Sequence, residues 1–230
     1  MDNLSNILGQ YTLSNSEVEI IEEISKILSA DIPQFWKKIF LSDDFKERKS
    51  ILLTEWKKFV SAELSNTISY LDEYLLRLDL IFYNGEYSIL YTISSYDNKD
   101  VLLYEGKKPV SVDELRKKFG DLFVLLDSSI VNFYTNIHNG FYDYRSKSMG
   151  LDPVKNIEPV SLYEWEYIKQ IDFNLEALFT FFSNGMGDYI VLDIDSKLEN
   201  GAYLWSKMDL PERGLNFWNY IDEWTVIGFE

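Results

Sequence analysis

Leu76-Arg77-Leu78-Asp79-Leu80-Ile81-Phe82-Tyr83-Asn84-Gly85-Glu86-Tyr87-Ser88-Ile89-Leu90-Tyr91-Thr92-Ile93 is the stretch that sets the fold class. Leu76, Leu78, Leu80 and Phe82 alternate with other residues, and so do Tyr87, Ile89, Tyr91 and Ile93. Alternation at period two places one set of side chains on one face of a strand. Asn84-Gly85 between the runs predicts a tight hairpin, because a type I′ turn needs positive φ at both central residues. Asp97-Asn98-Lys99-Asp100 forms the next turn and leads into Val101–Tyr104. Three consecutive antiparallel strands are therefore predicted.

Upstream of the hairpin the period is helical. Ser16-x-x-Glu19 reads as a capping box, and Ile20, Ile24, Ile27 and Leu28 follow at helical spacing, predicting a helix over 17–29. Pro33 opens a short helical turn carrying Trp36, Ile39 and Phe40. Asp43 or Asp44 caps a third helix with Ile51, Leu52, Trp56, Phe59 and Val60 on one face, and Leu64, Ile68 and Leu71 extend its stripe. Downstream, Gly106-Lys107-Lys108-Pro109 reads as a loop and the best internal boundary. Ser111-x-x-Glu114 begins a helix that runs through Phe119 and ends at Gly120. Asp127 caps another, with Ile130, Phe133, Tyr134 and Ile137 on one face, stopped by left-handed geometry at Asn139-Gly140. Residues 141–170 read as irregular. Leu178–Phe182, Tyr189–Ile194 and Ala202–Trp205 read as strands, and a last helix runs from Asn216 to Trp224.

The chain has 230 residues, 46% of them hydrophobic, so it can build a sizeable core. It has no cysteine, which excludes disulfides, thiolate nucleophiles and Cys-ligated zinc. No apolar run reaches the roughly 18 residues of a membrane span, and Met1-Asp2-Asn3-Leu4-Ser5 lacks a signal-peptide pattern, so a reducing cytoplasm is the expected location. The net charge is −16. Residues 151–230 carry 15 Asp/Glu against 5 Lys/Arg, together with four of the six tryptophans, Trp165, Trp205, Trp218 and Trp224. Acidic residues mixed with large aromatics suit a surface that meets a basic protein: aromatics supply contact energy and charge supplies steering. The same field repels nucleic acid and anionic membrane.

Catalytic patterns are weak. His138 is the one histidine, no Gly-x-Ser-x-Gly elbow accompanies it, and its place at a helix C-terminus suits service to the helix end and its dipole. Gly185-Met186-Gly187 has Ile190 where a dinucleotide loop needs its third glycine. Asp193-Ile194-Asp195-Ser196-Lys197-Leu198-Glu199 has Lys197 and Leu198 at the fifth and sixth positions, where a calcium loop needs an oxygen ligand and glycine. Paired carboxylates for glycoside hydrolysis are the remaining enzymatic alternative, but no particular pair stands out. No enzymatic activity, cofactor or metal is expected.

Two apolar segments broken by Asn-Gly turns carry a resemblance. The first is Ile137-His138-Asn139-Gly140-Phe141, followed by Ser148-Met149-Gly150-Leu151. The second is Phe181-Phe182-Ser183-Asn184-Gly185-Met186-Gly187-Asp188-Tyr189-Ile190-Val191-Leu192-Asp193, followed by Gly201-Ala202-Tyr203-Leu204-Trp205. In order and spacing, residues 111–230 resemble the SUKH superfamily of bacterial toxin-immunity proteins and fungal Smi/Knr-type regulators. The resemblance implies an α+β fold, with helices packed on a mixed or antiparallel sheet. Residues 1–110 then form a helical and hairpin extension within the same globule. It also implies a protein-binding role: an immunity protein that neutralises a cognate basic toxin, often a nuclease, by occlusion. A non-immunity regulatory module is the alternative within the superfamily. It brings no catalytic residues. The partner contacts expected on loops and strand ends are Tyr142, Tyr144, Trp165, Asp193, Asp195 and Glu199.

Overall fold

The computed structural model describes residues 2–12, 16–165, 174–196, 201–206 and 209–230. Among these, ten strands form one sheet in strict chain order, each antiparallel to the next. They are β1 (Glu19–Ile20), β2 (Leu75–Tyr83), β3 (Glu86–Ser94), β4 (Val101–Lys107), β5 (Phe141–Asp143), β6 (Met149–Leu151), β7 (Leu178–Asn184), β8 (Asp188–Asp193), β9 (Ala202–Ser206) and β10 (Glu212–Leu215). The helices are α1 (Asp2–Gly9), α2 (Ile24–Ser29), α3 (Gln34–Leu41), α4 (Phe45–Val60), α5 (Ser65–Tyr74), α6 (Val112–Phe119), α7 (Ser128–Asn132) and α8 (Phe217–Ile227). The class is α+β, and the sheet is antiparallel throughout. No helix among the described residues is long and apolar enough to cross a membrane.

Local chemistry explains the elements that the sequence announces. Asn84 and Gly85 take φ 52° and 80° in the β2–β3 turn, as a primed hairpin turn demands. Ser111 Oγ accepts from Glu114 N while Glu114 Oε2 accepts from Ser111 N, a complete capping box on α6. The β7–β8 turn is built by Asn184, whose Oδ1 accepts from Met186 N and Asp188 N.

Both faces of the sheet are covered. On one face Trp36, Trp56, Leu71, Phe133 and Phe217 pack against Tyr91, Tyr104, Phe141 and Phe181 in the main core. On the other, Leu8 of α1 and Val18 cover Ile81, Leu90, Leu103 and Tyr144. Further along that sheet a second cluster joins Val160 and Trp165 to Leu178, Val191 and Trp205. Burial of this apolar surface drives the fold, at about 25 cal/mol per Å².

Several expectations need correction. Residues 17–29 are not one helix: Glu19 and Ile20 pair with Phe82 and Ile81 as a strand, and only Ile24–Ser29 is helical. Sheet-edge pairing overrides the helical spacing, leaving Ile24 and Leu28 64% and 55% exposed. The stripe from Ile51 to Leu71 is split between α4 and α5, with Leu64 at φ −125° between them. Gly106 and Lys107 lie inside β4 rather than in a loop, and β4 continues the sheet into β5 through Gly106 and Phe141. Phe141–Asp143 and Met149–Leu151, read as irregular, are short strands, and Glu212–Leu215 adds a strand at the far edge. The helix before Asn139 ends as a π-helical turn, Phe133–Ile137, with His138 already extended and Gly140 at φ 85°.

Candidate functional site

The expected contacts separate into three places. Tyr142, Tyr144 and Trp165 are buried, Asp193 and Asp195 lie at the end of β8, and Glu199 falls outside the described residues. The three aromatics thus pack inside, because both faces of the sheet are covered.

Tyr142 and Tyr144 belong to a polar cluster inside the second face. Its centre is Glu105 on β4, fully buried. Tyr83 donates its hydroxyl to Glu105 Oε1 at 2.7 Å, Ser88 donates to the same oxygen at 2.7 Å, and Lys147 Nζ donates to Oε2 at 2.6 Å. Burial pushes the Glu105 carboxyl up, but the Lys147 and Lys107 ammonium groups outweigh it, and the group sits below the usual glutamate range. The Lys147 ammonium lies 3.6 Å from the centre of the Tyr144 ring and 5.5 Å from those of Tyr83 and Tyr142. Lys147 is held at φ 57°, a left-handed conformation uncommon for a side-chain-bearing residue. This cluster clasps the β5–β6 loop onto the sheet.

Asp193 instead lines an open groove of about 460 Å³. Its other walls come from Glu63 after α4, from Leu125 at the end of the 3-10 turn before α7, from Asp127 and Ser129 at the start of α7, and from Asn216, Phe217 and Trp218 at the start of α8. Asp193 Oδ1 accepts from Asp195 N at 3.1 Å and Ser196 N at 3.2 Å, which fixes the carboxylate at the strand end. Burial, together with the Asp195 charge, raises its pKa against the pull of those two amides. Asp127 caps α7 by accepting from Ser129 N at 2.7 Å and also receives the Ser129 hydroxyl. Ser129 Oγ in turn accepts from Trp218 Nε1 at 2.6 Å. The relay from Trp218 through Ser129 to Asp127 fixes one aromatic ring beside one carboxylate. Three carboxylates line the groove, and none of its described lining residues is Lys or Arg. Such a wall offers acceptors and negative potential, which recruit ammonium and guanidinium groups. The acidity of residues 151–230 was legible in the sequence; the contributions of Glu63, Asp127 and Trp218 come together only through the fold.

His138 is placed differently from expectation. Its ring is fully buried among Trp36, Trp56, Tyr91 and Phe141. Nδ1 lies 3.2 Å from the Lys107 carbonyl, which only accepts, so Nδ1 carries the proton and Nε2 accepts from Tyr91 Oη at 2.6 Å. Burial drives its pKa down to about 3. The ring is therefore neutral and does not serve a helix dipole; only its backbone N–H, donating to Phe133 O, ends the helix. No group of three or more His, Asp or Glu side chains arranged to hold a metal ion occurs among the described residues.

No family model, curated protein or solved structure matches this chain.

Proposed function

We propose that this chain is a protein-binding immunity protein of the SUKH type, which neutralises a basic toxin by laying its acidic groove over the toxin's functional surface. The groove carries the proposal: Glu63, Asp127 and Asp193 line it without a counter-charge among its described lining, and Trp218 stands fixed beside Asp127. A toxin partner, often a nuclease in that superfamily, follows from the sequence resemblance over residues 111–230. A nuclease must attract phosphate and so presents Lys and Arg, the groups an acidic groove captures. The long-range field of a chain at −16 speeds encounter, while the aromatic contact slows release.

Co-expression with the product of an adjacent reading frame tests the proposal. That product is expected to be toxic alone and harmless beside this chain, and Glu63→Lys combined with Asp193→Asn is expected to abolish protection while leaving the fold intact. Toxicity undiminished by the wild-type chain would overturn the immunity role. Full protection by the double variant would remove the groove from it.

A further inference from the structure

A second polar cleft lies on the opposite edge of the sheet. Its volume is about 480 Å³, and it is lined by Ile20 of β1 with Ile21 and Glu22 after it, by Asp43 and Arg48 near the start of α4, and by Arg77–Leu80 of β2. Asp79 belongs to this lining with a side chain only 7% exposed. Arg77 makes both of its contacts to one carboxylate oxygen, Nε to Oδ1 at 2.8 Å and Nη2 to Oδ1 at 2.6 Å. Asp79 Oδ2 is buried and has no hydrogen-bond partner. An orphaned carboxylate oxygen in a buried setting is costly unless a donor reaches it.

The neighbouring strand edge is only partly paired. β1 pairs with β2 only at Phe82 and Ile81, and Ile21 N adds one bond to Leu80 O before the chain turns away. Strand geometry alternates, so the backbone groups of Leu78 point to the same outer edge as those of Leu80. Among the described residues, none bonds the Leu78 backbone on that edge. Leu78 and Leu80 are each only 1% exposed, so this edge is enclosed and offers no template for an added strand.

We propose that this cleft receives an arginine side chain of a basic protein partner, with the guanidinium seated on Asp79 Oδ2. A planar fork of donors matches a carboxylate edge better than a point ammonium does. Glu22, Asp43 and Asp79 line the cleft against Arg48 and Arg77, three carboxylates to two guanidinium groups, a balance that still favours a cationic guest. The route opens when Arg77, half exposed, swings outward. Arg77 is then a guanidinium in cis that competes for the same carboxylate. Burial, the largest influence on the Asp79 carboxyl, raises its pKa, with Glu22 adding to it, consistent with a charge that Arg77 and Arg48 together compensate incompletely. The proposal does not rest on the acidic groove, which lies elsewhere on the protein.

The test is an amide NMR titration of the full chain with propylguanidinium, propylammonium and neutral propylurea. Propylguanidinium is expected to shift Ile21 and Arg77–Leu80 saturably, and propylurea is not. Asp79→Asn should weaken binding about tenfold. Arg77→Gln, which leaves Asp79 in place, should tighten it several-fold. Equal shifts with propylurea, binding as tight with propylammonium, an Arg77→Gln variant that binds no better, or shifts centred on Asp127 and Asp193 would each overturn the assignment.

Discussion

His138 shows how one buried residue ties the chain's distant segments together. Its ring rests on Trp36 and Trp56 from the N-terminal helices, accepts from Tyr91 on β3 and donates to Lys107 on β4. With a folded pKa of about 3 against an ordinary 6.5, it gains a proton first in the unfolded chain as pH falls. Its contribution to stability is complete above about pH 6.5 and is lost at about 1.4 kcal/mol per pH unit between there and pH 3. Urea midpoints should therefore show the stability gap between wild type and His138→Gln shrinking from pH 7 to pH 5. Gly106 makes room for this ring, since a Cβ there would lie 2.5 Å from Cδ2 and Nε2 of His138. Gly106→Ala should cost about 1–3 kcal/mol in wild type and far less in a His138→Ala background, a coupling that a double-mutant cycle measures. The sequence put His138 at a helix end and no further. Its burial depends on Trp36 and Trp56, about a hundred residues upstream, which no local pattern connects to it.

At the scale of elements, local signals succeed where no tertiary partner competes. Ser111-x-x-Glu114 and Ser16-x-x-Glu19 are the same motif. The first caps α6; at the second, Glu19 enters β1 and its side chain pairs with Lys26 at 2.7 Å. The difference is the open edge of β2, which captures Glu19 and Ile20. α5 is capped from outside its own sequence. Asp222 on α8 accepts from Asn66 N, Thr67 N and Thr67 Oγ1 at 2.9, 2.8 and 2.7 Å. Asp222→Ala removes a cap and leaves buried donors unpaired, so thermal unfolding should report a loss of about 2 kcal/mol. The β5–β6 loop depends on Lys147. Lys147→Met strands the Glu105 charge in the interior and should destabilise by about 3 kcal/mol at pH 7. Because protonation neutralises a stranded carboxylate, that deficit should narrow as pH falls, in the same urea titration.

At the scale of the molecule, a meander of ten strands among the described residues, covered on both faces, explains why the expected aromatic contacts lie inside. Tyr142, Tyr144 and Trp165 sit on or beside strands whose two faces are both core, a condition that the sequence of any one strand cannot reveal. The acidic character survives folding, because Asp127 and Asp195 remain exposed and Asp193 lines the groove. Charge-steered association is screened by salt, with a Debye length of about 10 Å at 0.1 M. The most direct test of the groove account is the association rate between this chain and the product of an adjacent reading frame, measured from low to high salt for wild type and the Glu63→Lys/Asp193→Asn variant. The account predicts a wild-type rate that falls steeply with salt and a variant that is slower at low salt and converges on wild type at high salt. Rates that ignore salt, or that are equal for the two proteins at low salt, would contradict it.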